Sequence, residues 1–239
     1  MAVLRYNGEK NQEGFSYMEF NGFTPEASAF LWELRFNNER PWFNAHKEEF
    51  LTLVDRPFRA LANEVFERMQ EAFPKREWYV HVSRIYRDAR RLYGRGPYKD
   101  HLWFTLRCDA SKDEEVPGFY FGFDPEGYDY GMGYWSSKAQ LMERYRRLTL
   151  ANPKPLETLA RRLERQDTFT LGGESYKRPK AEHSPLLDPW LNKKWISVGC
   201  EKGHDELSRS HDLADEIVKG FTFLVPYYDY FDSLRHMAD

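Results

Sequence analysis

Gly118-Phe119-Tyr120-Phe121-Gly122-Phe123-Asp124-Pro125-Glu126-Gly127-Tyr128-Asp129-Tyr130-Gly131-Met132-Gly133-Tyr134 reads as two strands and the turn that joins them. Asp124 first, Pro125 second and Gly127 last is the residue order that a tight β-turn favours. On either side, large apolar residues alternate with small or polar ones, the period of a strand with one buried face. Pairing across the turn sets Phe123 opposite Tyr128, Phe121 opposite Tyr130 and Phe119 opposite Met132, and that face is the core. The other face shows Gly118, Tyr120 and Gly122 beside Asp129, Gly131 and Gly133. Glycine weakens a strand, so four of them on one face imply a close approach to the backbone, by a ligand or by a packed helix.

Outward from the hairpin the same period recurs. Trp78, Val80 and Val82 alternate with Tyr79, His81 and Ser83, and Leu102, Phe104, Leu106 and Cys108 predict a second strand before the hairpin. Short strands are expected at 168–171 and 195–200. The flanks are helical. Thr24-Pro25-Glu26 combines a capping hydroxyl, a proline at the first helical position and an acid in the first turn, and predicts a helix that stops at Asn37-Asn38. Pro41 opens another with Phe43, His46, Phe50 and Val54 at helical spacing, and Pro57 breaks it and begins a third carrying Leu61, Val65 and Met69. Helices follow over 137–150 and 155–166, and Leu213, Ile217, Phe221, Leu224 and Tyr228 predict a long terminal one, kinked at Pro226. Helices on both sides of a run of strands give an α+β fold: a mainly antiparallel sheet with helices from the N-terminal and C-terminal regions packed on it. The expected organisation is an N-terminal arm, 1–20, and a single domain, 21–239.

The composition suits a globular chain, with 41% hydrophobic and 31% charged residues among 239. Aromatic residues reach 17%, and rings spread along the whole chain point to a core built on them, with a stacking surface as the alternative. A net charge of −3 argues against polyanion binding by the surface as a whole. The two cysteines, Cys108 and Cys200, have no metal-ligand spacing, and reduced thiols are expected. Arg5, Glu9 and Lys10 interrupt any signal-like run, and nothing approaches the ~18 apolar residues of a membrane span, so a cytoplasmic protein without membrane partners is expected.

Charge concentrates in residues 84–99, where Arg84, Arg87, Arg90, Arg91, Arg95 and Lys99 face Asp88 alone, a local charge of +5. The planar fork of arginine matches carboxylates and phosphates. Gly94-Arg95-Gly96 adds backbone donors, but the Gly-Lys-Ser/Thr ending of a P-loop is absent. The segment is either an anion site or a solvated loop paired with nearby acids. Strand parity carries Arg84 onto the face of Trp78, Val80 and Val82, which predicts a buried guanidinium paired with Asp88 or Asp100, or one lining a pocket. The histidines show no ligand spacing, so no metal site is expected. No nucleophile motif occurs, so no reaction and no cofactor is assigned.

Several motifs in order resemble a known family. They are Gly22-Phe23-Thr24-Pro25, Phe30-Leu31 with Leu34, Asn37-Asn38, Trp42-Phe43, Arg84-Ile85-Tyr86-Arg87-Asp88 with Arg90, Pro97-Tyr98-Lys99, Gly131 with Gly133 and Trp135, and Lys177-Arg178-Pro179-Lys180. The chain is similar over about 21–200 to the uncharacterised bacterial and fungal family DUF2461. It differs in having Gly94-Arg95-Gly96 for an acidic-Lys-Thr stretch and Ala181 for a glycine, which marks a divergent branch. The resemblance implies a shared fold unit and no particular activity. The expected ligand is an anionic small molecule, phosphorylated or carboxylated. Arg84, Arg87, Arg90, Tyr98 and Lys99 would form its pocket, Asp88 would orient an arginine, and Lys177, Arg178 and Lys180 would form a second wall. The alternatives are a nucleic-acid-associated protein using the same loop, or a scaffold that docks an acidic partner.

Overall fold

The computed structural model describes residues 19–88, 90, 92, 94–108, 116–134 and 138–236. Most of the expected arm, together with Arg91, Trp135 and the start of the helix expected at 137, lies outside the described residues. The elements are α1 (Pro25–Phe36), α2 (Arg40–Ala45), α3 (Lys47–Phe50), one π-helical turn (Leu51–Asp55), α4 (Arg56–Ala72), β1 (Tyr79–Val82), β2 (Leu102–Arg107), β3 (Gly118–Phe123), β4 (Gly127–Gly133), α5 (Ala139–Ala151), α6 (Lys154–Leu163), β5 (Thr170–Gly172), α7 (Asp188–Leu191), β6 (Ser197–Gly203) and α8 (Asp212–His236). The strands form one antiparallel six-stranded sheet in the order β1-β2-β3-β4-β6-β5, so the fold is α+β. No helix among the described residues is long and apolar enough to cross a membrane.

The local causes are mostly those in the sequence. Pro25 stands at the start of α1, although Thr24 makes no side-chain cap bond. Pro57 does not break the chain into separate helices. Near the start of α4 it lacks only a donor that would be unpaired there anyway, and a π turn carries the chain into it. At the hairpin, the Asp124 carboxylate accepts the N–H groups of Glu126 and Gly127, each at 2.8 Å. The Asp124 N–H donates to the Gly127 carbonyl at 3.0 Å, which closes the turn in the expected register.

The chain divides into two compact units. The first comprises residues up to Leu106, Phe121–Asp129 and Glu201–Lys219. Its core is aromatic: Phe121 is buried among Phe23, Phe58, Phe104 and Tyr128, and Phe23 stacks on Phe123 with centroids 4.0 Å apart. Leu31, Leu34, Leu61, Val65 and Met69 of α1 and α4 complete it. The second unit comprises Arg107–Tyr120, Tyr130–Cys200 and Gly220–Asp239. There Phe119 stacks on Tyr228 at 5.1 Å and meets Phe221 at 4.9 Å. Two buried hydroxyls in this unit find acceptors, Tyr134 on the Phe231 carbonyl at 2.9 Å and Tyr227 on the Leu159 carbonyl at 3.0 Å, while the Tyr145 hydroxyl is buried without one among the described residues. Cys108 and Cys200 form no disulfide.

The glycine face of the hairpin is approached by the sheet's own residues. In the second unit the Tyr120 hydroxyl lies 2.9 Å from where a Cβ on Gly131 would stand and 2.3 Å from one on Gly199. In the first, the Asp129 carboxylate lies against Gly122, 2.1 Å from a would-be Cβ. Gly122 makes room for a side chain, and at Gly131 and Gly133 the tightest contacts are main-chain atoms of β6 and of the residue before it, in place of the ligand or helix expected from the sequence.

Asp129 pays for this position in its titration. Burial, and then the negative charges of Asp124 and Glu201, push its carboxyl up to about 6. In the unfolded chain the group titrates near ~3.9, so between those values the folded state holds the extra proton. The carboxylate therefore opposes folding fully above about pH 6, and the opposition fades as pH falls toward ~4. Asp129→Asn should raise stability at pH 7.5 by on the order of 1–3 kcal/mol and give no gain at pH 3.5. Urea titrations at the two pH values measure it. An equal effect at both would remove the titration as the cause.

Candidate functional site

A cavity of about 280 Å³ opens in the first unit, lined by Arg40, Asn44, Tyr86, Arg87, Leu92, Pro97 and Tyr98. One wall is α2, where Arg40 and Asn44 are one helical turn apart and Phe43 faces inward. The other is the basic segment, whose two arms run antiparallel. Tyr86 bridges Tyr98, the Lys99 N–H donates to the Ile85 carbonyl at 2.7 Å, and the Arg87 N–H donates to the Pro97 carbonyl at 2.8 Å.

The walls are joined by Asn38. Its amide donates to the Tyr98 carbonyl and accepts the Tyr98 N–H, both at 2.9 Å, imitating a strand partner. Gly96 lies so close beneath that a Cβ would stand 2.2 Å from Asn38 Oδ1. Tyr98 is buried and stacks on Phe43 at 4.0 Å. Burial and then Tyr86 raise its phenol, while Arg40 acts in the opposite sense, which places that guanidinium's field on the Tyr98 hydroxyl.

Of the residues singled out in the sequence, Arg87 and Tyr98 line this cavity. Arg87 Nε donates to the Tyr98 carbonyl at 2.7 Å, and its terminal nitrogen lies 3.7 Å from Asp100. Asp100 is engaged by Arg35 at 2.5 Å and His101 at 3.0 Å. Burial alone would raise its carboxyl, but the hydrogen bonds from His101 and Arg35 hold it below the usual range. Lys99 is half-buried, and its ammonium donates to the Arg84 carbonyl. Burial, then repulsion from Arg87 and Arg84, lowers it to about 8.

Arg84 is a correction. It is exposed, and neither Asp88 nor Asp100 pairs with it among the described residues. β1 ends at Val82, and Ser83 takes over the pairing with β2: its N–H donates to the Trp103 carbonyl at 2.8 Å and its hydroxyl accepts the Trp103 N–H at 3.0 Å. Ser83 is buried next to buried Val82, so the alternation slips by one residue and turns Arg84 to water. A solvated guanidinium avoids the cost of burial that parity would have imposed. Asp88 is also spoken for, since it accepts the Arg90 N–H at 3.0 Å and two bonds from its guanidinium at 3.1 and 2.8 Å on the exposed rim.

Lys177, Arg178 and Lys180 belong to the second unit, and all three are exposed. Lys180 holds the Asn192 amide oxygen through its N–H at 2.6 Å, and its ammonium lies 5.3 Å from the Tyr176 ring. Sequence reasoning missed Arg40, Asn44 and Asn38. A cation and an amide four apart on a short helix were the only local signal, and the turn-like reading of Asn38 hid a contact 60 residues away. No group of three potential metal ligands occurs among the described residues.

Fold and cavity together define an α+β protein with a small basic cleft beside a paired loop. The model of the family described as a conserved hypothetical protein, DUF2461, matches residues 26–230, and the chain belongs to that family. Comparison with curated proteins finds no match.

Proposed function

We propose that the chain binds an anionic small molecule, phosphorylated or carboxylated, in the cavity beside α2. Arg40 and Arg87 take the charge, and Tyr86, Tyr98 and Leu92 cover the remainder of the ligand. The observation that carries this reading is the balance of charge around the cavity. Two guanidiniums line it and Lys99 lies within range of Arg87, while Asp88 is held by Arg90, and Asp100, held closely by Arg35 and His101, meets Arg87 only at 3.7 Å. A forked donor fixed by its own bond to the Tyr98 carbonyl loses little freedom when it takes an oxyanion. A volume near the lower end of the range for ligand sites, ~300–1,000 Å³, suits a metabolite rather than a polymer.

Titration with inorganic phosphate at low salt tests it. Arg40→Ala should weaken binding roughly 10-fold or more, the loss expected of a charge-assisted hydrogen bond, with little change in melting temperature. Arg84→Ala and Arg90→Ala should change it less than about 2-fold, because neither lines the cavity. Equal effects from all three would mean that only diffuse charge is felt.

A further inference from the structure

The second unit carries another basic hollow, of about 500 Å³, lined by Thr158, Arg161, Arg162, Arg165, Gln166 and Phe223. Three guanidiniums converge on it, and none has a carboxylate partner among the described residues. Cations in the last turn of a helix commonly answer the helix dipole. Here three terminal carbonyls of α6, those of Ala160, Arg162 and Leu163, are met by other donors. The N–H groups of Glu164 and Gln166 reach Ala160 and Leu163, and the Gln166 amide donates to Leu163 at 2.8 Å and to Phe169 at 2.7 Å. The arginines are therefore not consumed in capping. Arg162 is fixed over the Phe223 ring at 4.4 Å, with one nitrogen 3.4 Å from the Phe223 carbonyl. Arg161 and Arg165 are exposed, Arg161 in the last turn of α6 and Arg165 in the turn just beyond it, where its N–H reaches the Arg162 carbonyl at 3.4 Å.

From this convergence we infer that the hollow at the end of α6 is an anion site of its own, fitted to a short polyphosphate chain such as that of a nucleoside di- or triphosphate. Arg161 and Arg165 each hold one phosphate through a bidentate fork, and Arg162, held on Phe223, adds its charge. The chain is small because the positive footprint is small. Glu157, Glu164 and Asp167 flank the arginines in sequence and would repel a long polyanion.

Calorimetric titration of the intact protein with inorganic tripolyphosphate at low salt tests the inference apart from the α2 cavity. Arg40→Ala serves as the background, so that binding at the first cavity is suppressed. Saturable binding should persist there and weaken at least 10-fold in the added pair Arg161→Gln and Arg165→Gln, with an intermediate loss for Arg161→Lys, which keeps the charge without the fork. Binding unchanged by the pair overturns the site, as does loss of melting temperature in the pair with no binding in the parent. A duplex oligonucleotide that binds more tightly than tripolyphosphate, and is lost with the same pair, overturns the assignment to a small ligand.

Discussion

Replacing Phe121 by alanine should lower the stability of the protein by about 3–5 kcal/mol, the usual cost of removing a fully buried ring. Phe121 has no exposed surface, and four rings surround it at centroid distances of 5.4 to 6.4 Å: Phe104, Phe58, Tyr128 and Phe23. These rings come from four separate places in the first unit, so the cavity left behind cannot be closed by one side chain moving. Leucine in its place should recover part of the loss. Urea unfolding at constant m-value measures the difference, and a cost below about 1.5 kcal/mol would mean that the rings are not packed as described.

The second large effect is expected at Gly22, through the backbone. Its φ is +96°, and an added Cβ would stand 2.2 Å from both the carbonyl carbon and the oxygen of Arg209 and 2.6 Å from the Ser210 nitrogen. No rotamer relieves contacts with main-chain atoms, and the left-handed conformation alone costs an L-residue about 1–2 kcal/mol. The strain passes directly to Phe23, whose N–H holds the Ser208 carbonyl at 2.9 Å while its ring stacks on Phe123. Gly22→Ala should therefore destabilise by roughly 2–4 kcal/mol, seen as a drop in melting temperature of about 5–15 °C. Gly203→Ala is the control, because no atom lies within 4 Å of its Cβ position, and it should shift stability by less than about 0.5 kcal/mol.

The alternation of large apolar residues with small or polar ones made the strands legible. Phe119, Phe121, Phe123, Tyr128, Tyr130 and Met132 are all buried, and the Asp-Pro-Glu-Gly turn sets their register locally. The same rule failed one residue past β1. A hydroxyl at Ser83 could replace a backbone acceptor, and nothing in the order Val-Ser-Arg announces that the alternation will slip there. The basic segment was visible as charge, but its arrangement was not. Which arginine meets the cavity depends on Asn38 pairing with Tyr98 across 60 residues, a long-range contact that no local period encodes. The glycine face was legible as a close approach without a named visitor, because Tyr120 and Asp129 were read as neighbours of the glycines and not as their cover.

The central claim is that an oxyanion is held between Arg40 and Arg87, and crystals grown in phosphate at low chloride test it most directly. The account predicts tetrahedral density in the α2 cavity within hydrogen-bond distance of both guanidiniums, with Tyr98 in place on Phe43 and Arg84 turned to solvent. An α2 cavity that holds only water at saturating phosphate, or one closed by a carboxylate drawn onto Arg87, would contradict it.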